Sequence, residues 1–221
     1  MEMSNVKLIE VCTTWQGEGP DTGKRMMLVR FKRCNRTCQW CDTQIRMRNL
    51  MESDYCFNQL QTTLDDNKSA LLISGGEPSF GLNLNQTVAL LNELVYPVAN
   101  VETNGLDLVK LISRVKQDKN IKYMLSPKLF TKDDTAFYIK LVDEIKDNEK
   151  VFIKLVCEPT ENINIFLDYL NQIDFSASRV YLMPEGTTRE DLIKHSPFVF
   201  DMCEKYNFNF SSRSHIIYGF I

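Results

Sequence analysis

Three cysteines, Cys34, Cys38 and Cys41, lie within eight positions of one another in the spacing Cys-x3-Cys-x2-Cys. Closely spaced thiolates are typical ligands of zinc ions and of iron–sulfur clusters. A structural zinc ion takes four ligands, so a zinc site here would need a distant fourth ligand such as Cys12 or Cys56. An iron–sulfur cube held by three cysteines would instead leave one iron open to a small molecule. The spacing by itself agrees with both centres.

Four short segments elsewhere in the chain combine glycine, proline and polar side chains in ways that suit ligand binding. Glycine lets a ligand approach the backbone closely, and the carboxylate of Glu77 could accept a hydrogen bond from an ammonium group. Each segment taken alone is also an ordinary turn sequence. The segments are QGEG (16–19), SGGEP (74–78), ETNG (102–105) and SPK (126–128).

The elements that must position these segments alternate between β-type runs and helix-like runs. The β-type runs predict strands over 6–11, 26–31, 70–74, 98–103, 122–126, 150–157 and 179–184. Apolar residues at helical spacing predict helices over 84–94, 106–115 and 162–170. A capping sequence at 187–191 predicts another helix that extends toward Tyr206.

This alternation predicts βαβ units and an α/β fold with a parallel sheet. In such folds ligands bind on the loops that follow the carboxyl ends of the strands. The cysteine loop and the GGEP, NG and PK segments each follow a predicted strand, so we expect them at one rim. We therefore predict an incomplete (βα)6 barrel with an extra N-terminal strand and these loops at one mouth.

Length, composition and charge limit the classes of protein that fit. The 221 residues, 43% of them hydrophobic, suffice for one sizeable core, and no linker-like segment divides them. We predict one domain over 1–221 that includes the cysteine loop 32–43. The sequence pattern defines the structure of residues 185–221 least clearly. The net charge of −3 and the pI near 5.5 disfavour a nucleic-acid partner. The polar N-terminus and the lack of a long apolar run predict no membrane association and a cytoplasmic location with reduced thiols.

In this order and at these distances, the segments together resemble the radical S-adenosylmethionine (SAM) superfamily and, within it, the 7-carboxy-7-deazaguanine synthases. The superfamily is marked by the three cysteines and by a Gly-Gly-Glu motif, found here at Gly75–Glu77. The synthases are marked by the Gln16–Gly19 segment, by Arg30 before the first cysteine and by the Cys41–Thr43 tripeptide. The resemblance covers Lys7–Pro184 and weakens after it.

The resemblance implies two cofactors, a further metal ion and an electron donor. The three cysteines would hold a [4Fe–4S] cluster whose open iron binds SAM, and reductive cleavage of SAM would release a 5′-deoxyadenosyl radical. Thr43 would be a ligand of Mg²⁺, and a protein such as flavodoxin would supply the electron. The residues that the match assigns to SAM are Trp40, Cys41, Asp42, Gly75, Gly76, Glu77, Ser126, Pro127 and Lys128.

The resemblance also implies a substrate, 6-carboxy-5,6,7,8-tetrahydropterin, and its conversion to 7-carboxy-7-deazaguanine with loss of ammonia, a step of queuosine-type biosynthesis. Arg30 would bind the carboxylate through its planar fork. For His215, a hydrogen-bonded surface or strand histidine is the favoured interpretation, and a substrate contact is the alternative. The full set assigned to the substrate is Trp15, Gln16, Gly17, Glu18, Arg30, Ser74 and His215. Members of this family are often homodimers.

Two other functions remain open from the sequence. A glycyl-radical activating enzyme shares the cysteine spacing and the compact size, but it acts on a protein loop and has less use for Gln16–Gly19 and Arg30. A non-catalytic zinc module that binds other proteins would need only the cysteines. Cys157 and Cys203 lie in apolar runs and are expected to be buried small hydrophobic residues.

Overall fold

The structure is a computed structural model that describes residues 4–38, 41, 43, 49–159 and 163–220, with the backbone alone at 163 and 164. Trp40 and Asp42, both assigned to SAM, lie outside the described residues. The strands are β1 (Asn5–Leu8), β2 (Glu10–Trp15), β3 (Arg25–Phe31), β4 (Ser53–Cys56), β5 (Ala70–Gly75), β6 (Ala99–Thr103), β7 (Ile121–Leu125), β8 (Val151–Cys157), β9 (Val180–Pro184) and β10 (Asn209–Phe210). The helices are α1 (Phe57–Asn67), α2 (Leu82–Glu93), α3 (Leu108–Arg114), α4 (Lys132–Ile145), α5 (Ile163–Gln172), α6 (Arg189–Tyr206) and α7 (Ser214–Tyr218).

The chain divides into two compact units. The first comprises Met1–Gln16 and Gly23–Tyr123, and the second comprises Gly17–Thr22 and Met124–Ile221. One boundary therefore falls inside β7, and another separates Gln16 from Gly17 in the QGEG segment. The single domain over 1–221 stays a prediction.

The first unit is built on parallel strands. Its strand order is β2-β3-β5-β6, in which β3, β5 and β6 are parallel and β2 runs antiparallel to β3. Residues 26–29 of β3 and 70–73 of β5 are buried without alternation, as expected for strands covered on both faces. Helices α1 and α2 supply the crossovers that parallel strands need. This unit places the ends of β3, β5 and β6 side by side.

The N-terminal part differs from the prediction of one strand over 6–11, which is wrong. A bend at Ile9 separates β1 from β2, and β2 continues to Trp15. β1 pairs antiparallel with β4, a strand that the sequence analysis did not identify. The polar sequence of β4, SDYC, lacks the alternation of apolar residues by which a strand is recognised.

The second unit contains three parallel strands in the order β8-β9-β10 with helices α4 to α7. The predicted start of α6 is confirmed, because the Thr188 side chain accepts a hydrogen bond from the Asp191 amide at 3.1 Å. The last residues, which the sequence left undefined, form β10 and α7. In the described residues no helix combines the length and the apolar character needed to cross a bilayer. The predicted α/β class with parallel strands is confirmed.

Candidate functional site

The cysteine loop follows the carboxyl end of β3. Cys34, Cys38 and Cys41 are free and half-buried, and the amide of Cys41 donates to the carbonyl of Cys38 at 3.3 Å. The amide of Arg36 donates to the Cys34 sulfur at 3.4 Å. All seven cysteines lie among the described residues and none is in a disulfide.

The electrostatics of the three thiols test whether they suit a shared cluster. Burial raises the pKa of Cys34, and the negative charges of Glu77, Cys38 and Cys41 raise it further. Cys38 and Cys41 are therefore close enough to Cys34 to affect its pKa. In the part of the chain that the structure describes, no three His, Cys, Asp or Glu side chains converge on a single metal ion. A [4Fe–4S] cube does not need such convergence, because each thiolate binds a different iron, so the donor set fits it.

The two cysteines considered as a distant fourth zinc ligand have packing or capping contacts. Cys12 packs against an apolar cluster formed by β3, β5 and Val98, and burial raises its pKa. Cys56 is the N-cap of α1, where its amide donates to the Gln59 side chain at 3.1 Å. These contacts account for both residues without a metal.

The glycine pair at the end of β5 lies against the backbone that follows β3. A Cβ atom on Gly75, whose φ is +104°, would be 2.4 Å from the carbonyl oxygen of Phe31. A Cβ atom on Gly76 would be 2.1 Å from the carbonyl oxygen of Arg33. The amide of Gly76 donates to Phe31 at 2.7 Å, and that of Glu77 donates to Arg33 at 2.8 Å. Only glycine allows the two loops to approach this closely.

Replacing Gly75 with alanine is therefore expected to destabilise the fold more than an ordinary left-handed glycine would. Gly23 is the matched control, because its φ is +87° and a Cβ there meets no described atom within 4 Å. Gly23→Ala should cost about 1–2 kcal/mol from backbone strain alone. Gly75→Ala should cost about 2 kcal/mol more, because the carbonyl clash adds to that strain. Urea unfolding of the cofactor-free protein measures both, and equal losses would contradict the close approach.

Glu77 connects the GGEP and ETNG segments. Its buried carboxylate accepts hydrogen bonds from the amide of Ser79 at 2.9 Å, the hydroxyl of Ser79 at 2.7 Å, the hydroxyl of Thr103 and the amide of Asn104 at 2.6 Å. Burial raises the pKa of Glu77, and these hydrogen bonds oppose the rise. Asn104 also donates to Asn35 in the cysteine loop at 2.8 Å. The GGEP segment, the ETNG segment and the cysteine loop thus meet within the first unit.

Arg30, near the end of β3, is held by an acidic residue that the sequence analysis missed. Its Nε donates to the Glu10 carboxylate at 2.7 Å, and the two residues are direct cross-strand partners. Its Nη1 lies 3.5 Å from the hydroxyl of Thr43, which donates to the carbonyl of Gly75 at 3.1 Å. Ser74 is the register partner of Arg30 on β5. The pairing with Glu10 uses the Nε edge of the guanidinium, so the Nη groups carry its remaining donors.

Trp15 and Gln16, two further residues assigned to the substrate, also belong to the first unit. Gln16 is buried, and its side-chain amide donates to Glu102 at 3.4 Å. Trp15 at the end of β2 is 49% exposed.

In the second unit, Glu18 lies among three basic side chains. One carboxylate oxygen contacts Nζ of Lys154 at 2.5 Å, and the other contacts Nε of Arg213 at 3.1 Å. The Nε2 of His215 lies 3.8 Å from the second oxygen. Burial opposes ionisation, but the charges of Lys154, Arg213 and His215 outweigh it and hold the pKa of Glu18 well below its usual range.

The C-terminal residues pack directly on the QGEG segment within this unit. The amide of Ser214 donates to the carbonyl of Gly17 at 3.0 Å, and the amide of Gly19 donates to the hydroxyl of Ser211 at 2.8 Å. A Cβ on Gly17 would be 2.2 Å from Nδ1 of His215. His215 therefore lies beside Gly17 and Glu18, and its assignment to the substrate stays a prediction.

Sequence reasoning missed Lys154 and Arg213 for different reasons. Lys154 interrupts the apolar run of β8 and is buried, which is a usable signal because a buried lysine needs an anionic partner. Arg213 lies in a tail without periodic pattern and offers no comparable signal. The remaining predicted residues, 126–128, follow β7, and Nζ of Lys128 donates to the Ser126 hydroxyl at 3.0 Å.

The cysteine and Gly-Gly-Glu loops lie at the ends of the adjacent parallel strands β3 and β5, as the alternation of strands and helices predicts. The fold is that of QueE from Escherichia coli, with a TM-score of 0.60 at 17% identity over 96% of this chain and 95% of that one. No protein-family model matches the chain.

Comparison with curated proteins makes the similarity more specific. The chain is 26% identical to the 7-carboxy-7-deazaguanine synthase of Hyperthermus butylicus over 219 residues, which is 96% of this chain and 92% of the relative. Synthases of the same name from Neisseria meningitidis and Haemophilus influenzae are 32% and 30% identical over 48% of each chain. The resemblance is confirmed: this chain is similar to the 7-carboxy-7-deazaguanine synthases, in one case along nearly all of both chains.

Proposed function

We propose that this chain is a radical SAM lyase that converts 6-carboxy-5,6,7,8-tetrahydropterin to 7-carboxy-7-deazaguanine with loss of ammonia. The observation that carries the proposal is the similarity to the Hyperthermus butylicus synthase along nearly all of both chains. The relatives do not favour the activating enzyme or the zinc module, the two alternatives left open by the sequence.

The cofactors are a [4Fe–4S] cluster and SAM, which when bound supply the radical chemistry. Cys34, Cys38 and Cys41 are the proposed cluster ligands. Glu77 is proposed to bind the SAM ammonium group through Oε2, which accepts one of the four hydrogen bonds described above and so keeps a lone pair. The other proposed SAM residues are Trp40, Cys41, Asp42, Gly75, Gly76, Ser126, Pro127 and Lys128.

The proposed substrate residues differ in the chemical group of the substrate that each would bind. Arg30 would bind the substrate carboxylate with its Nη groups, because Glu10 already takes its Nε edge. Ionised Glu18 would accept hydrogen bonds from the N–H groups of the pterin, and Gln16 would accept through its amide oxygen. Trp15, Gly17, Ser74 and His215 complete the proposed set. Thr43 is the proposed Mg²⁺ ligand, since a hydroxyl oxygen suits that hard cation.

Several broader features belong to the same proposal. They are the closure of the strands into an incomplete (βα)6 barrel, a single domain, a homodimer, reduction by a donor such as flavodoxin, and a cytoplasmic location. The donor is required because the cluster must be reduced before SAM is cleaved. The location rests on the seven cysteines being free.

Anaerobic reconstitution with iron and sulfide, followed by turnover with the pterin, SAM and a reductant, tests the function. We expect a brown protein that forms 7-carboxy-7-deazaguanine and ammonia in equal amounts. A protein that cleaves SAM but leaves the pterin unchanged would point to the activating enzyme. A colourless protein that retains zinc would point to the zinc module.

A further inference from the structure

Helix α6 exposes two large apolar side chains on the face that it turns to solvent. The helix packs against β9 and β10, and its buried stripe consists of Leu192, Val199 and Cys203. On the solvent-facing side Ile193 and Phe200 are 56% and 52% exposed. Phe200 also stacks on Phe210 of β10, with ring centroids 4.1 Å apart, so the apolar surface continues beyond the helix. Exposed apolar surface of this kind marks a candidate site of contact with another protein.

The exposed face of α6 has two flanks with different residues. Pro197 lies inside the helix at the centre of this face, and a turn of about 100° per residue places the other exposed side chains to one side of it or the other. One flank carries Glu190, Lys194, Asp201 and Lys205. The other flank carries Arg189, Ile193, Phe200 and Glu204. On both flanks the residues before Pro197 and those after it lie at nearly equal distances from it.

Such a face is complementary to a copy of itself. When two identical helices pack antiparallel across a two-fold axis, each flank meets the same flank of the other copy. A residue before the centre then meets one after it, so Lys194 of one copy faces Asp201 of the other, and Ile193 faces Phe200. The pairs nearer the helix ends are Glu190 with Lys205 and Arg189 with Glu204. Every charged pair has opposite signs, and each occurs twice because the contact is isologous.

We propose that α6 is the surface through which two copies of this chain associate, as an antiparallel helix pair centred on Pro197. The inference rests on the homodimer of the proposed function but not on its reaction. The charge pattern selects a second copy as the partner, because binding to an unrelated protein would not require α6 to be complementary to itself. The face offers nine exposed residues per copy, fewer than the roughly 20–30 of a standard interface, so we expect Kd on the order of micromolar.

A charge exchange at Lys194 and Asp201 tests the pairing. Sedimentation equilibrium of the reconstituted full-length protein measures Kd. Lys194→Asp should raise Kd on the order of tenfold or more, because two attractive pairs per dimer become repulsive. Adding Asp201→Lys restores opposite charges across the axis and should return Kd to near the wild-type value.

The rescue distinguishes pairing between copies from pairing within one helix. Residues four apart are neighbours on a helix, so Glu190 could pair with Lys194 and Asp201 with Lys205 in the same chain. Lys194 and Asp201 themselves are about 10 Å apart along the axis of one helix, too far to pair. A role confined to one helix therefore predicts that the two substitutions disrupt separate pairs and that the second does not rescue the first.

Ile193→Asp tests the apolar contact. It should raise Kd on the order of 100-fold or more, because it places a charge against the exposed ring of Phe200 in the other copy. Added salt should reduce the effect of Lys194→Asp and leave most of the effect of Ile193→Asp. Val95 is the matched control, since it is an apolar residue of the first unit that is 72% exposed. Val95→Asp should leave Kd unchanged.

The outcomes separate this inference from the proposed function. A wild type that stays monomeric at a concentration on the order of 1 mM overturns both the inference and the homodimer, whereas pterin turnover is measured independently. A dimer whose Kd is unchanged in the α6 variants associates through another surface, and the inference fails alone. If Ile193→Asp does not fold, the charge exchange decides, because Lys194 and Asp201 are both exposed. A dimer that behaves as expected but does not convert the pterin overturns the proposed reaction and supports this inference.

Discussion

Replacing any one of Cys34, Cys38 and Cys41 with alanine is expected to remove cluster binding and turnover together. Each thiolate would bind a different iron, and Cys38 and Cys41 are close enough to Cys34 to affect its pKa. In a variant with only two of these cysteines, a second iron would lack a protein ligand. The cluster would then be held less firmly and would no longer have one distinct open iron. Iron and sulfide per chain, visible absorption and product formation measure the effect. We expect all of them to fall to background.

Cys157→Ala is the matched control for this series. Cys157 is buried on β8, and burial raises the pKa of its thiol to about 12, so it is a neutral packing residue. The variant should lose about 1 kcal/mol of unfolding free energy through a small cavity while keeping iron and turnover per folded molecule. Retained iron and activity in Cys38→Ala would mean that the ligands have been misassigned.

The strands that could be predicted from the sequence are those buried on both faces. β3 reads as an almost continuous apolar run and β8 as an apolar run interrupted by Lys154, and the structure places both within a residue of the predicted bounds. The helices α1 and α4 were not predicted, because polar residues dominate α1 and charged residues interrupt the apolar spacing of α4. Tertiary packing stabilises both where local pattern is weak.

For the site, too, residues in contiguous motifs could be predicted, whereas contacts between distant residues could not. The cysteine loop and the Gly75–Glu77 motif are contiguous in the chain, so their residue types alone identified them. Lys154 and Arg213 lie 136 and 195 positions from Glu18, and one sequence carries no record of such contacts. Glu10 is different, because pairing β2 antiparallel with β3 would have placed it opposite Arg30.

The second large effect is expected at Arg30. Arg30→Lys should lower kcat/KM for the pterin about thirtyfold to a thousandfold, which corresponds to about 2–4 kcal/mol. A lysine has one compact ammonium group, which cannot hold Glu10 and a substrate carboxylate with the geometry of a planar fork. The variant should keep its cluster and its uncoupled SAM cleavage, because the proposed ligands of both cofactors are untouched. Product formation and SAM cleavage, measured in the same reaction, separate the two steps.

A variant of Glu10 is the control for this prediction. Glu10→Gln keeps an oxygen that can accept from Nε but loses the charge, so it should cost less than Arg30→Lys. If Glu10 acts by holding Arg30 in place, Glu10→Gln should have no further effect in an Arg30→Ala background. Normal pterin turnover by both Arg30→Lys and Arg30→Ala would show that the substrate carboxylate binds elsewhere. In that case the Glu10–Arg30 pair would be only a cross-strand ion pair, and its removal would change the unfolding free energy and leave KM unchanged.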